Sequence, residues 1–255
     1  MDCFPFTEEK LMHRFYADTS RSEDQTVFLT PDDARHALTV LRLKSGQHVE
    51  IIRNGMRFEA VIDCDNIPNV SARLLSSLPS TEAALSITLF QGLPKADRMD
   101  LIVQKSTELG VSRIVPVIMN RCVVRPDPKD LTRKLERWSR IAREAVKQSG
   151  RCRIPEISVP VSLNLLADTV SLPEINIVPW EEASGFGPLA FRKSHPELSS
   201  LGILIGPEGG IEKEEIVLLQ SLGFIPITLG NRILRTETAG PAALSSFMSL
   251  YGEME

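Results

Sequence analysis

Two short stretches near the carboxyl end combine residue types that packing alone does not ask for. The first is Gly206-Pro-Glu-Gly-Gly210, where three residues without a Cβ let the backbone turn sharply and let a ligand approach its N–H and C=O groups. The second begins at Leu229-Gly230 and crowds Arg232, Arg235, Thr236, Glu237 and Thr238 into one segment. Taken singly, each is equally well an ordinary turn between a strand and a helix. Taken together, two glycine turns at one sheet edge can face a single ligand.

The elements that would position them are readable. Residues 201–205 form a short apolar run ending in the first glycine turn, as expected of a buried strand. Ile216, Leu219 and Leu222 then make a helical stripe, with Glu212, Glu214 and Glu215 in its first turn, where the helix dipole favours acids. Residues 225–229 predict a second strand and 236–250 a second helix, with Pro241 tolerable only in its first turn. In open α/β sheets the carboxyl ends of the strands are where ligands bind.

The chain has 255 residues, 42% of them hydrophobic and 24% charged, a globular composition long enough for one large domain or two smaller ones. No apolar run approaches the roughly 20 residues that span a bilayer. The start, Met-Asp-Cys-Phe-Pro-Phe-Thr-Glu-Glu, lacks both the basic and the apolar region of a secretory signal. Cys3, Cys64, Cys122 and Cys152 are scattered, which argues against a disulfide framework or a zinc site and points to the cytoplasm. A net charge of −4 counts against a protein that coats nucleic acid non-specifically, yet leaves room for a local basic patch.

Toward the amino end, 13–16 and 26–29 are short β-prone segments. Thr30-Pro-Asp-Asp33 reads as a helix start with a capping box, the helix ending near Gly46. Asn54-Gly55 between two alternating segments is a hairpin signal, and a further strand follows at 70–75. Several short strands with one helix suggest a small, partly open barrel. Ser76 to Thr81 is a polar break, after which strands at 85–90 and 113–119 flank a helix bearing Met99, Ile102, Val103, Ser106 and Leu109. Such alternation implies parallel βαβ units. Residues 129–147 form an amphipathic helix whose outer faces carry Arg133, Lys134, Arg137, Arg140, Arg143 and Lys147, continuing to Arg151 and Arg153, an excess of one sign that suits RNA phosphate. A strand at 175–178 ends in Pro179-Trp180-Glu181, and 183–200 reads as irregular.

Gly206-Pro-Glu-Gly-Gly210 followed by Leu229-Gly-Asn-Arg-Ile-Leu-Arg-Thr-Glu-Thr-Ala239 resembles the SPOUT superfamily of methyltransferases, and within it the bacterial 16S rRNA (uracil-N3) methyltransferase family (RsmE). Lys95, Asp97, Arg98, Gln104, Lys105, Glu108, Leu109 and Gly110 match that family's "K-x-D-R-M … Q-K-x-x-E-L-G" run, and Arg121 matches too. Glu144 to Arg151 matches "E-A-x-E-Q-S-x-R", with Lys147 where an acid is usual. His13 to Tyr16, Val40 to Gly46 and the Asn-Gly hairpin resemble the PUA-like barrel that precedes the knot.

The resemblance implies an α/β fold: a PUA-like RNA-binding barrel over 1–75, a linker over 76–84, and a SPOUT domain with a parallel sheet and a carboxyl-terminal trefoil knot over 85–255. It implies S-adenosylmethionine bound by Pro179, Trp180, Gly206, Glu208, Gly209, Gly210, Leu229, Gly230, Ile233, Leu234 and Thr236. Arg121 and Arg235 would stabilise the uracil imide anion, and Glu237 would orient an arginine or act as base, unless it merely caps the last helix. Arg14, Arg42, Lys95, Arg98, Lys105, Arg140, Arg143, Gln148 and Arg151 would contact RNA; Lys105 can equally pair with Glu108. The expected partners are 16S rRNA within the small ribosomal subunit and a second copy of the chain, with no membrane and no metal. The apolar side of Leu244, Phe247 and Met248 fits either a dimer interface or a core. Methylation of a ribose 2′-hydroxyl and a non-catalytic RNA-binding role are the competing readings.

Overall fold

The computed structural model describes residues 12–18, 20–21, 25–66, 69–123, 125 and 127–254; Cys3 and the residues around it lie outside this set. The chain divides into two compact units, Met1–Thr81 and Glu82–Glu255.

The first unit is a five-stranded sheet of β1 (Arg14–Tyr16), β2 (Thr26–Phe28), β3 (His48–Arg53), β4 (Met56–Asp63) and β5 (Ser71–Leu78), in the order β1-β3-β4-β5-β2. β1 runs parallel to β3 and the other pairs are antiparallel. Asn54 and Gly55 both have positive φ (52° and 74°), which gives the tight turn the hairpin needs. A bridge between Ala17 and Leu29 joins the two edge strands and a bulge at Glu59/Ala60 bends β4, so the sheet curls into a small barrel around Phe15, Val27, Ile51, Ala60, Ile62 and Ala72. Helix α1 (Pro31–Arg35) starts as expected, with the Thr30 hydroxyl accepting the Asp33 N–H, but the box is not reciprocal. The Asp33 carboxylate accepts the Tyr16 N–H instead, and the Thr30 N–H donates to the Tyr16 carbonyl. The helix widens into a π-turn at His36–Val40 and stops there, short of Gly46, because Arg42 takes a left-handed φ of 51°. β5 runs on to Leu78, so Ser76 and Ser77 belong to a strand.

The second unit is a parallel α/β sheet. Its elements are β6 (Ser86–Gly92), α2 (Arg98–Glu108), β7 (Arg113–Ile118), α3 (Pro128–Ser149), β8 (Glu156–Ile157), β9 (Val161–Ser162), α4 (Leu166–Thr169), β10 (Ile175–Pro179), α5 (Pro188–Ser194), β11 (Ser200–Ile205), α6 (Lys213–Ser221), β12 (Phe224–Ile227) and α7 (Thr236–Leu250). The order is β12-β10-β11-β6-β7-β8, with β9 also on β7. The chain first builds outward from β6 on one side and then fills the other, so β6 and β11 meet at a reversal of strand order, the place where a crevice opens. From the edge strand β12 the chain returns to the centre, where α7 packs on β6, β11 and α2.

The structure selects one of two open alternatives and differs from the sequence reading at two further points. Leu244, Phe247 and Met248 are buried within one copy, so they belong to the core. Pro241 lies in the second turn of α7, leaving the Glu237 carbonyl without its i+4 donor. The stretch 183–200 contains α5, which begins at Gly187-Pro188 and buries Phe191 against Phe186, His195 and Phe247. Among the described residues no helix is long and apolar enough to cross a membrane.

Candidate functional site

Three loops leave the carboxyl ends of β10, β11 and β12 and enclose one cavity of about 630 Å³. The 206–210 loop is its floor. Thr236 Oγ1 donates to the Gly206 carbonyl (2.7 Å), and Gln91 Nε2 donates to the same hydroxyl (2.9 Å), linking β6, β11 and the start of α7 through one buried chain. A Cβ on Gly206 would lie 2.6 Å from Ile211 Cγ1, and one on Gly92 would lie 2.6 Å from the Pro207 backbone nitrogen. The floor is therefore closed by the Ile211 side chain at Gly206 and by backbone approaching backbone at Gly92.

The first loop is tied to the sheet edge, the Trp180 N–H donating to the Ile227 carbonyl (3.0 Å). The third loop makes mainly local bonds. The Gly230 N–H donates to Thr228 Oγ1 (3.1 Å), while Asn231, Arg232 and Ile233 are exposed, Ile233 by 83%.

Pro179, Trp180, Gly206, Glu208, Gly209, Gly210, Leu229, Gly230, Ile233, Leu234 and Thr236 all line this one cavity, as do Arg235 and Glu237. Two of them are less open to a ligand than the sequence suggested. The Thr236 hydroxyl is buried between Gln91 and Gly206, and the Glu208 carboxylate accepts the Lys95 N–H (2.9 Å) and Arg98 Nη1 (2.5 Å). Burial works to raise the pKa of Glu208, but the Lys95 N–H, its own N–H and the Arg98 guanidinium together hold it below the usual value.

Arg121 is not among the lining residues. Its Nη1 donates to the Gly209 carbonyl (2.9 Å), its Nε lies 3.4 Å from Glu212 Oε1, and a Cβ on Gly209 would come within 2.9 Å of the Arg121 Cβ. The arginine braces the 206–210 turn. Asn120 extends the brace, its N–H donating to Glu215 and its amide to Glu212 (both 2.8 Å), the two carboxylates that form the capping box of α6.

Arg98, expected to touch RNA, lines the cavity between two acids, with Nε 3.8 Å from Glu237 Oε1. Arg151 is buried, its guanidinium bound to Glu82 (2.6 Å) and to the carbonyls of Thr107 and Val111 (2.9 and 2.8 Å), so it cannot present itself to RNA. Arg14 is likewise engaged, in an ion pair with the buried Glu50 that Arg57 shares. Lys105 pairs with Glu108 (2.9 Å). Arg42, Lys95, Arg140, Arg143 and Gln148 are exposed. Gln91 and Gly92 escaped the sequence reading, although a glutamine ending an otherwise apolar strand is the kind of signal that marks a site. Among the described residues no cluster of His, Cys, Asp and Glu could hold a metal ion.

A family model described as an RNA methyltransferase domain matches residues 81–248. The chain is 33% identical over 245 residues to the ribosomal RNA small subunit methyltransferase E of Bacillus subtilis, covering 92% of this chain and 95% of that protein. The crystal structure of the ribosomal RNA small subunit methyltransferase E of Neisseria gonorrhoeae bound to S-adenosyl methionine superposes with a TM-score of 0.80 at 33% identity, over 96% of this chain and all (100%) of that one. A putative methyltransferase of Legionella pneumophila, solved with bound cofactor SAM, gives 0.78 at 33% identity, over 93% and 97% of the two chains.

Proposed function

Because the chain belongs to the RNA methyltransferase family that includes the ribosomal RNA small subunit methyltransferases E, we propose that it methylates N3 of a uridine in 16S rRNA with S-adenosylmethionine. The observation that carries this reading is the convergence of three loops on one cavity whose floor leaves no room for a Cβ at Gly92, Gly206 or Gly209. The residues present fit that cofactor. Trp180, Ile205, Leu229, Leu234 and Ala239 offer apolar surface for a purine, and the glycine turns offer peptide N–H and C=O groups for its polar edges. When bound, the cofactor supplies an activated methyl group.

The chain's own residues do the rest by position and charge. Glu237, partly buried on the cavity wall, accepts the imide proton. Its Oε2 is buried and has no hydrogen-bond partner among the described residues, so part of its acceptor capacity is unused. Arg235, exposed at the rim, meets a uracil carbonyl oxygen as charge develops there. The exposed Arg140, Arg143 and Gln148 on α3, with Lys95 before α2 and Arg42 in the amino-terminal barrel, contact the RNA backbone. The reading includes a homodimer acting in the cytoplasm on the assembled small subunit, and the three described cysteines, buried free thiols, accord with a reducing compartment.

The test is transfer of labelled methyl groups to small subunits lacking the modification, with the product nucleoside identified by mass spectrometry. The expected product is 3-methyluridine. A 2′-O-methyl nucleoside would overturn the chemistry, and cofactor binding without transfer to any RNA would overturn the enzyme reading. Sedimentation of the pure protein checks the dimer.

A further inference from the structure

Resting on that reading, we infer that Arg98 is a catalytic residue of this site: it orients Glu237 and faces the uracil imide from which Glu237 takes the proton. Three observations place it there. Arg98 lines the cavity, whereas Arg121 braces the floor. Its side chain is fixed at two points, Nη1 on Glu208 and Nε 3.8 Å from Glu237 Oε1, so it is oriented before substrate arrives. The other oxygen of Glu237, Oε2, is buried and accepts no hydrogen bond among the described residues.

A partly buried carboxylate on a cavity wall, with one oxygen near a guanidinium, is matched by a planar N–H flanked by carbonyl oxygens. An N3–H of uracil has that shape. The N3–H bond breaks with its proton passing to the Glu237 carboxylate and its electron pair remaining on nitrogen. That pair forms the N3–CH3 bond while the sulfur–methyl bonding pair returns to sulfur. As the carboxylate becomes neutral, the negative charge it held moves to the imide, and Arg98 is the cation that serves it in both places. A phosphate contact would not need a guanidinium clamped between two acids, since phosphate would have to displace them.

The experiment compares the wild type with Arg98→Gln and Arg98→Lys, measuring cofactor Kd by calorimetry, kcat and KM on unmodified small subunits, and the pH dependence of kcat. For R98Q the expected result is a cofactor Kd close to the wild type and kcat lower by about a hundredfold, the scale of removing one preorganised charged donor. Its kcat should also rise toward higher pH, where the imide ionises unaided. R98K, which keeps the charge without the fork, should fall between the two. Subunits carrying 5-fluorouridine, with a more acidic imide, should recover much of the R98Q loss. A change confined to KM would make Arg98 a phosphate contact, a change confined to cofactor Kd would make it a pin for the 206–210 loop, and an unchanged rate ratio on 5-fluorouridine would deny it a part in ionisation; each overturns the inference. If R98Q does not fold, R98K decides, and wild-type kcat across the pH range overturns the inference. A wild-type product other than 3-methyluridine would sink the reading beneath it as well.

Discussion

Two of the loops around the cavity are built on opposite principles. The 206–210 loop is held on every side: Thr236 bonds the carbonyl of Gly206, Lys95 and Arg98 bond the carboxylate of Glu208, and Arg121 bonds the carbonyl of Gly209. The 228–235 loop is held at its start, by the Thr228 N–H on the Phe186 carbonyl, and then leaves Asn231, Arg232 and Ile233 exposed. Neighbouring segments of one wall thus differ in how much of their shape is determined by the protein. A pinned floor suits a small cofactor that must lie in one pose. The unpinned tip of the rim, Asn231 to Ile233, carries a cation and an apolar side chain and suits a large, variable surface such as folded RNA.

Substitutions that add or remove pins can break this contrast. The largest effect is expected from Gly92→Ala, whose Cβ would lie 2.6 Å from the Pro207 nitrogen and 2.9 Å from the Gly206 carbonyl carbon. Neither backbone atom can step aside, so an overpacking cost of about 1–3 kcal/mol falls on the floor, up to about a hundredfold in cofactor Kd by calorimetry. Gly230→Ala is the matched probe of the rim. Nothing lies within 4 Å of its Cβ, so its cost is the backbone strain at φ +100° alone, about 1–2 kcal/mol. Equal losses of cofactor affinity in the two variants would erase the distinction.

Arg121→Ala removes one bond to the Gly209 carbonyl and is expected to weaken cofactor binding about tenfold while kcat at saturating cofactor changes little. The reverse pattern would return Arg121 to the reacting base. Acid should act on the floor through Glu208. Its pKa is depressed in the folded protein, so its ties to Lys95 and Arg98 persist above the ordinary glutamate value of about 4.3 and are lost as pH falls through the lower folded one. Cofactor affinity should show that acid limb, and Glu208→Gln should abolish it. The smallest effect belongs to Ile233→Ala, which should leave stability within about 0.5 kcal/mol by thermal unfolding and raise only the KM for RNA.

Much of this was legible because the local signals were strong. Glycine placement and apolar runs located the floor, the rim and the strands that carry them, and the first-turn glutamates located α6. What escaped depended on partners far along the chain. Arg151 reads as one more cation in a basic run until Glu82 and the carbonyls of Thr107 and Val111 are brought around it. Arg14 meets Glu50 only through the parallel pairing of β1 with β3. The position of Arg121 after β7 is visible in sequence, but the side of the turn to which its guanidinium goes is not, because that depends on where the neighbouring strand sets Gly209. Helix α5 was hidden by its shortness, although Gly187-Pro188 is a serviceable start signal.

The hydroxyl of Thr236 joins the end of an early strand, through Gln91, to a loop from the middle of the domain, through Gly206. It belongs to α7, whose buried face, Ala243, Leu244, Phe247 and Met248, must already be seated for that hydroxyl to be in place. A nascent chain therefore has every strand of its sheet before it has a cofactor site. Enzyme still attached to the ribosome that makes it has no means of modifying RNA until α7 has emerged and packed, so completion of the sheet alone does not bring activity.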